Sequence, residues 1–247
     1  MTNTAPRRVR FLASVTSEAE ARLAAAHGAD IVDCKNPSAG ALGALPHTVV
    51  ADIRKALPRH TPVSATIGDL AADPEPVLEA ARAMAATGCD IVKIGLFPGA
   101  DPAATIRHVG RSLARRTTLV AVLLADAPFE SALIPVLGEA GFAAVMLDTG
   151  QKDGRSLLDH RSTDELRDFI SEAQGAGLMA GLAGSLSRAH IPALLALGPD
   201  VLGFRGALCR ASDRQQALDG SALAQVRSAI PAGGEQGPAA IALEAAS

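Results

Sequence analysis

The stretch ADIVDCKNP (residues 29–37) follows SEAEARLAAAHG (17–28), and the junction between them decides how the chain is built. The first segment is rich in Ala and Leu, opens on Ser and stops at Gly, as a helix does. The second is a short apolar run that ends in a lysine. The same helix, Gly, strand unit recurs along the chain. Strands are expected at VRFLAS (9–14), ADIVDCK (29–35), PVSATIGD (62–69), CDIVKIG (89–95), TLVAVLLAD (118–126), FAAVMLDT (142–149), LMAGLAGS (178–185) and DVLGFRGA (200–207). Helices such as PEPVLEAARAMAATG, FESALIPVLGEAG and STDELRDFISEAQGAG lie between them. Eight alternating β/α units in a chain of 247 residues read as an α/β protein, a single-domain (β/α)8 TIM barrel. A doubly wound sheet is the alternative, but no GxGxxG follows the first strand. The barrel is expected to span 9–230. A flexible N-terminus (1–8) and a disordered Ala/Gly/Pro-rich tail (231–247) flank it.

The chain is 48% apolar with a net charge of -3, has 2% aromatic residues and lacks Trp and Tyr. There is no basic tract and little to stack on bases, so nucleic acid is not an expected partner. No apolar run approaches membrane length, and no membrane partner is expected. The three cysteines, Cys34, Cys89 and Cys209, are widely spaced and form no CxxC or zinc pattern. Cys34 and Cys89 read as core, and a reducing, cytoplasmic location is expected. Helices this rich in Ala and Leu are compatible with a homo-oligomer, without indicating an interface.

Lysine usage is the sharper signal. Of 23 basic residues 19 are Arg, and the four lysines are Lys35, Lys55, Lys93 and Lys152. Lys55 lies on a polar helix face; the other three stand where strands end. A single strand-end lysine is equally well read as one that snorkels to solvent. Three of four there point to a need for amines, because an amine, unlike a guanidinium, can lose its proton and attack a carbonyl.

Barrel active sites form at the C-terminal ends of the strands. There the sequence places Asp33 and Lys35, then Ser64, Thr66 and Asp69, Lys93, Asp126, Asp148 with Lys152 in the following loop, and Arg205. Period-2 alternation puts Ile31, Asp33 and Lys35 in phase, and likewise Ile91, Lys93 and Gly95. Strands 2, 4, 6 and 8 are expected to bring Lys35, Lys93, Asp148 and Arg205 into one layer. Cations crowded in a partly dry cavity favour loss of a proton, and Asp148 would pair the charge that remains. That arrangement suits Schiff-base chemistry. The loops LAGSL and FRGAL, with Gly184, Ser185, Arg205 and Gly206, offer backbone N–H groups and a guanidinium to a substrate phosphate. Asp33, Ser64 and Thr66 are further candidates for the site. No cluster of His, Asp or Glu has metal-ligand spacing, and no cofactor is expected.

The motifs DIVDCKNPSAGALGA, VSATIGDL, CDIVKIGL, VMLDTGQKDGRSLLDH, GLAGSLSRAHIP and DVLGFRGALCR occur in this order between about residues 9 and 230. Together they resemble the (5-formylfuran-3-yl)methyl phosphate synthase (4-HFC-P synthase) family of methanofuran biosynthesis. The resemblance implies a barrel of class I aldolase type, a lyase that condenses two molecules of glyceraldehyde 3-phosphate into a phosphorylated furan aldehyde with release of phosphate and water. It also implies that Lys35, in KNP, is the Schiff-base residue and Lys93, in VKIGL, the proton-transferring base. Asp148 and Lys152 match the family's LDTxxKDG. Cys34 departs from the aliphatic residue frequent at its position. Another class I aldolase or a sugar-phosphate isomerase on the same barrel is the alternative, as is a non-catalytic barrel that binds a phosphorylated ligand. If amine chemistry replaces a Lewis acid here, EDTA should leave furan formation from glyceraldehyde 3-phosphate unchanged. Loss of the rate, restored by a divalent ion, would contradict it.

Overall fold

Ser17 caps the first helix, α1 (Glu18–Ala26), by accepting from the N–H of Glu20, and Gly28, at φ +80°, turns the chain toward the next strand. Such helix-to-strand turns repeat at Gly88, Gly141, Gly177 and Gly198, all at positive φ. In the computed structural model, which describes residues 8–99, 101–128, 131–151 and 153–231, the strands so linked close into a parallel barrel in sequence order. They are β1 (Arg10–Val15), β2 (Ile31–Cys34), β3 (Val63–Thr66), β4 (Ile91–Gly95), β5 (Thr118–Leu124), β6 (Ala144–Asp148), β7 (Met179–Leu182) and β8 (Val201–Phe204), and β8 pairs with β1. The TIM barrel expected from the sequence is the fold observed.

The helices pack outside: α2 (His47–Ala56), α3 (Pro74–Ala85), α4 (Pro102–Leu113), α5 (Leu133–Glu139), α6 (Leu157–His160), α7 (Thr163–Gly175), α8 (Ile191–Leu195) and α9 (Gly220–Ala229). The FESALIPVLGEAG helix is shorter than its pattern, beginning at Leu133. Several strands are also shorter than expected, and Lys35 lies one residue beyond β2. Of the segments expected to lack structure, only Arg8 and Pro231 are among the described residues, and Arg8 pairs with Asp30.

Alternation divides the core in two. Val32, Cys34, Val92 and Ile94 face the helices and join a large outer core with Val50, Ile53, Leu78, Ile106, Ile134 and Leu166. Leu12, Ile31, Ile91, Val120, Val122, Met146 and Val201 fill the barrel interior. The inner set therefore plugs the barrel from below, and polar chemistry is confined to its mouth.

At the opposite end, Arg54 from α2 is 6% exposed and donates to the carbonyls of Leu57, Pro58 and Thr61 and to Asp90. Asp90 also accepts from the N–H of Val63, so one guanidinium ties the end of α2 to the start of β3. Removing it strands a carboxylate and three carbonyls. Arg54→Ala should lower the unfolding free energy by about 3 kcal/mol or more, measured by urea denaturation, and Arg54→Lys should recover only part because it lacks the planar fork.

Candidate active site

At the C-terminal mouth a cavity of about 920 Å³ has Asp33, Lys35, Lys93 and Asp148 among its lining residues. Lys35 Nζ donates to Asp148 Oδ2 at 2.8 Å, reaching from the end of β2 to β6 on the far side of the barrel. Lys93 Nζ, from β4, donates to Asp33 Oδ2 at 3.1 Å. The two lysines are 8% and 4% exposed and Asp33 is fully buried. Such burial removes each ion from water at a cost of several kcal/mol, which only a close partner and further hydrogen bonds offset. Those bonds are present. Asp33 also accepts from Ser14 Oγ (3.0 Å) and Ser64 Oγ (2.6 Å), and Asp148 Oδ1 accepts from the N–H of Thr149 (2.8 Å). Ser14, Asp33 and Ser64 are direct neighbours in register across β1, β2 and β3, so one row of the sheet builds this carboxylate's donor set.

The expected layer of crowded cations is thus replaced by two lysine–carboxylate pairs. Arg205 does not join them. Its Nε donates to the carbonyl of Arg214, Nη1 to Glu20 and to the carbonyl of Ser14, and Nη2 to Glu20 and to the carbonyl of Gln216. With both edges of its fork occupied, Arg205 clasps α1 to the loop after β8 while also lining the cavity. The backbone bends away from the strand at Arg205 (φ −134°, ψ −69°), so alternation stops at Phe204. Thr66 is also redirected, donating to the carbonyl of Gly43 and supporting the loop after β2. Ser64 acts on Asp33 and does not line the cavity.

Two other strand-end acids have structural work. Asp69 accepts from the N–H groups of Ala41 and Leu42, fixing the loop that follows Lys35. Asp126 accepts from Gly150 and Gln151 in the loop after β6. Burial pushes its pKa up, but these two N–H donors outweigh that and hold it below the usual carboxylate value. Lys152, next along this loop, lies outside the described residues.

Gly184, Ser185 and Gly206 all line the cavity. Gly184 and Ser185 both have positive φ (+108° and +48°) in the turn that follows β7. A Cβ at Gly184 would stand 2.9 Å from the Thr149 nitrogen, so the close approach of β7 to β6 also requires glycine. Two residues that the sequence reading overlooked line the cavity as well: Ser14, in phase with Leu12 on β1, and Arg214, in an irregular loop with no pattern to mark it. The three cysteines are buried, and burial pushes each thiol up, Cys209 to about 11, so they read as packing rather than chemistry.

Residues 11–227 match the model of the 4-HFC-P synthase family. The chain belongs to that family. A relative from Methylorubrum extorquens is 41% identical, over 92% of this chain and 93% of its own length. The (5-formylfuran-3-yl)methyl phosphate synthase of Methanocaldococcus jannaschii is 36% identical over 83% of this chain and 92% of its own. The chain is accordingly an enzyme, of a lyase family, with a small-molecule substrate. Among solved structures it is similar in fold to phosphoribosyl anthranilate isomerase from Thermus thermophilus (TM-score 0.64, 17% identity, covering 90% of this chain and 98% of that one). A 3-hexulose-6-phosphate synthase gives a TM-score of 0.62 at 20% identity, covering 90% and 100%. Among the described residues no helix is long and apolar enough to cross a membrane.

The clasp has a pH signature. Burial pushes the Glu20 carboxyl up, but Arg205 and the Thr16 donors outweigh this and hold it below its ordinary 4.5. A carboxyl depressed by folding stabilises the protein fully above its unfolded value and loses that contribution as pH falls through the lower, folded one. The melting temperature should therefore fall on acidification below about pH 4.5. Glu20→Gln should be less stable at neutral pH but lose less over that window. Parallel curves for the two proteins would contradict this.

Proposed function

We propose that this enzyme condenses two molecules of glyceraldehyde 3-phosphate into (5-formylfuran-3-yl)methyl phosphate, releasing one phosphate and water, through an iminium on Lys35. The observation that carries the reading is the pair of buried lysines, each against its own carboxylate, on the floor of one cavity. Family membership supports the product, and the strand-end lysines support the chemistry.

The attacking amine must be neutral. Lys35 and Asp148 are 2.8 Å apart, so a proton can pass from the ammonium to the carboxylate without leaving the site. Lys35 Nζ then adds to a triose carbonyl, whose oxygen departs as water with a proton returned by Asp148. The iminium draws electrons from the neighbouring carbon and eases loss of its proton. Lys93 is placed to take or return that proton, and Asp33, itself held by Ser14 and Ser64, orients its amine. Aldol addition joins the second triose. Phosphate elimination, ring closure with loss of two waters, and hydrolysis of the iminium, which takes back the water lost when it formed, free the furan aldehyde and the lysine. One phosphoryl group fits the N–H groups around Gly184, Ser185 and Gly206. Lys152 is assigned to the second.

Purified protein supplied with glyceraldehyde 3-phosphate alone should produce a furan chromophore and inorganic phosphate. Another aldolase or an isomerase would produce neither. Borohydride added with substrate should inactivate the enzyme and add mass to the peptide carrying Lys35, and Lys35→Arg should fold but form no adduct. An adduct on Lys93 instead would exchange the roles assigned to the two lysines.

A further inference from the structure

A second, smaller cavity of about 590 Å³ adjoins the first, and its lining includes Gly40, Ala41, Phe97 and Gly150. Pro37 and Arg214 line both cavities, so they form the wall between them. Arg214 is half-buried, and its guanidinium makes no hydrogen bond or ion pair with any described residue. Burial pushes its pKa down, and the Asp148 carboxylate works against that.

The backbone beneath this unpaired cation is fixed from both sides. Arg205 donates to the carbonyls of Arg214 and Gln216. Ser38 Oγ donates to Gln215 Oε1 at 2.8 Å and Gln215 Nε2 donates to the carbonyl of Pro37, tying the loop to the segment that follows Lys35. Ala211 and Ser212 hold two successive left-handed conformations (φ +51° and +57°), strained for residues with a Cβ and sustained by what surrounds them. A half-buried guanidinium that is held in place yet unmatched is a site prepared for an anion, and a planar fork suits phosphate oxygens.

We propose that Arg214 binds the phosphoryl group of the second triose at the junction of the two cavities, with Arg205 as the positioning residue that holds its loop. This rests on the reading that two triose phosphates enter the site, and it gives the second phosphate a ligand among the described residues. The cradle at Gly184, Ser185 and Gly206 keeps the other phosphate.

Glycerol 3-phosphate tests this directly, because it carries the phosphate but has no carbonyl with which to form an iminium. Calorimetry on the full chain should show two molecules bound per wild-type chain and one, or a second at least tenfold weaker, for Arg214→Ala. The KM for glyceraldehyde 3-phosphate should rise at least tenfold in that variant, and Arg214→Lys should recover part of both losses. Arg205→Lys alone should weaken the second site and, added to Arg214→Ala, should cause no further loss; additive losses would mean that Arg205 touches the phosphate itself. The assignment is overturned if Arg214→Ala binds glycerol 3-phosphate and turns over substrate as wild type does, or if Arg210→Ala carries the loss instead. Absence of furan from the wild-type enzyme would refute the proposed reaction, whereas the calorimetry would still report on Arg214.

Discussion

Lys35 and Asp148 meet across the barrel from β2 and β6, and neither could remain there without the other. Taking one partner from a buried pair leaves an uncompensated charge and typically costs about 3–5 kcal/mol. The contact exists only because the sheet closes, since three strands separate its two halves in either direction. It also needs a dry floor, which Leu12, Ile31, Ile91, Val122 and Met146 provide from beneath. Barrel closure, interior packing and amine chemistry are therefore one constraint seen at three levels. The second pair, Lys93 with Asp33, is built differently, its carboxylate held by two serines from adjacent strands. One carboxylate is satisfied across the barrel and the other along the sheet. This leaves the two lysines in unequal surroundings, as a nucleophile and a proton carrier require.

The acids around the mouth divide by what donates to them. Asp33 and Asp148 accept from lysine ammonium groups; Asp69 and Asp126 accept from pairs of backbone N–H groups. The latter hold the loops after β2 and β6 as a helix cap holds its first turn, and the two loops flank the cavity. Rigid loops matter because a bound phosphate anchors only one end of a triose. A carbonyl displaced by an ångström would miss the amine.

Much of this was legible in the residues. Period-2 alternation placed Asp33 and Lys35 in phase, the strand ends marked Lys93 and Asp148, and the structure brings all four to one cavity. Their pairing was not legible, because which inward side chains touch depends on strand stagger and barrel diameter, and alternation specifies neither. Ser14 was within reach of the same argument, two residues beyond the inward Leu12. The partners of Arg205 were hidden for a definite reason: the strand ends one residue earlier and the periodicity lapses there. Arg214 sits among short turns where no periodicity exists, and only the folded loop distinguishes it from Arg210.

The bias toward arginine has its own structural logic. Arg54, Arg161, Arg205 and Arg227 each gather backbone carbonyls where the chain leaves regular structure: Leu57, Pro58 and Thr61 for the first, Ala125 and Ala127 for the second, Arg214 and Gln216 for the third, Gly28 and Ile230 for the last. A barrel of eight units has many such junctions, and each leaves carbonyls without a ladder partner. One guanidinium with donors spread over a plane can satisfy several of them and a carboxylate together, which a tetrahedral ammonium cannot do. Arginine also keeps its charge whatever its surroundings, so a clasp made from it does not open when a neighbour exchanges a proton. On the floor of the cavity the cations are instead lysines, Lys35 and Lys93, where a cation must be able to give its proton up.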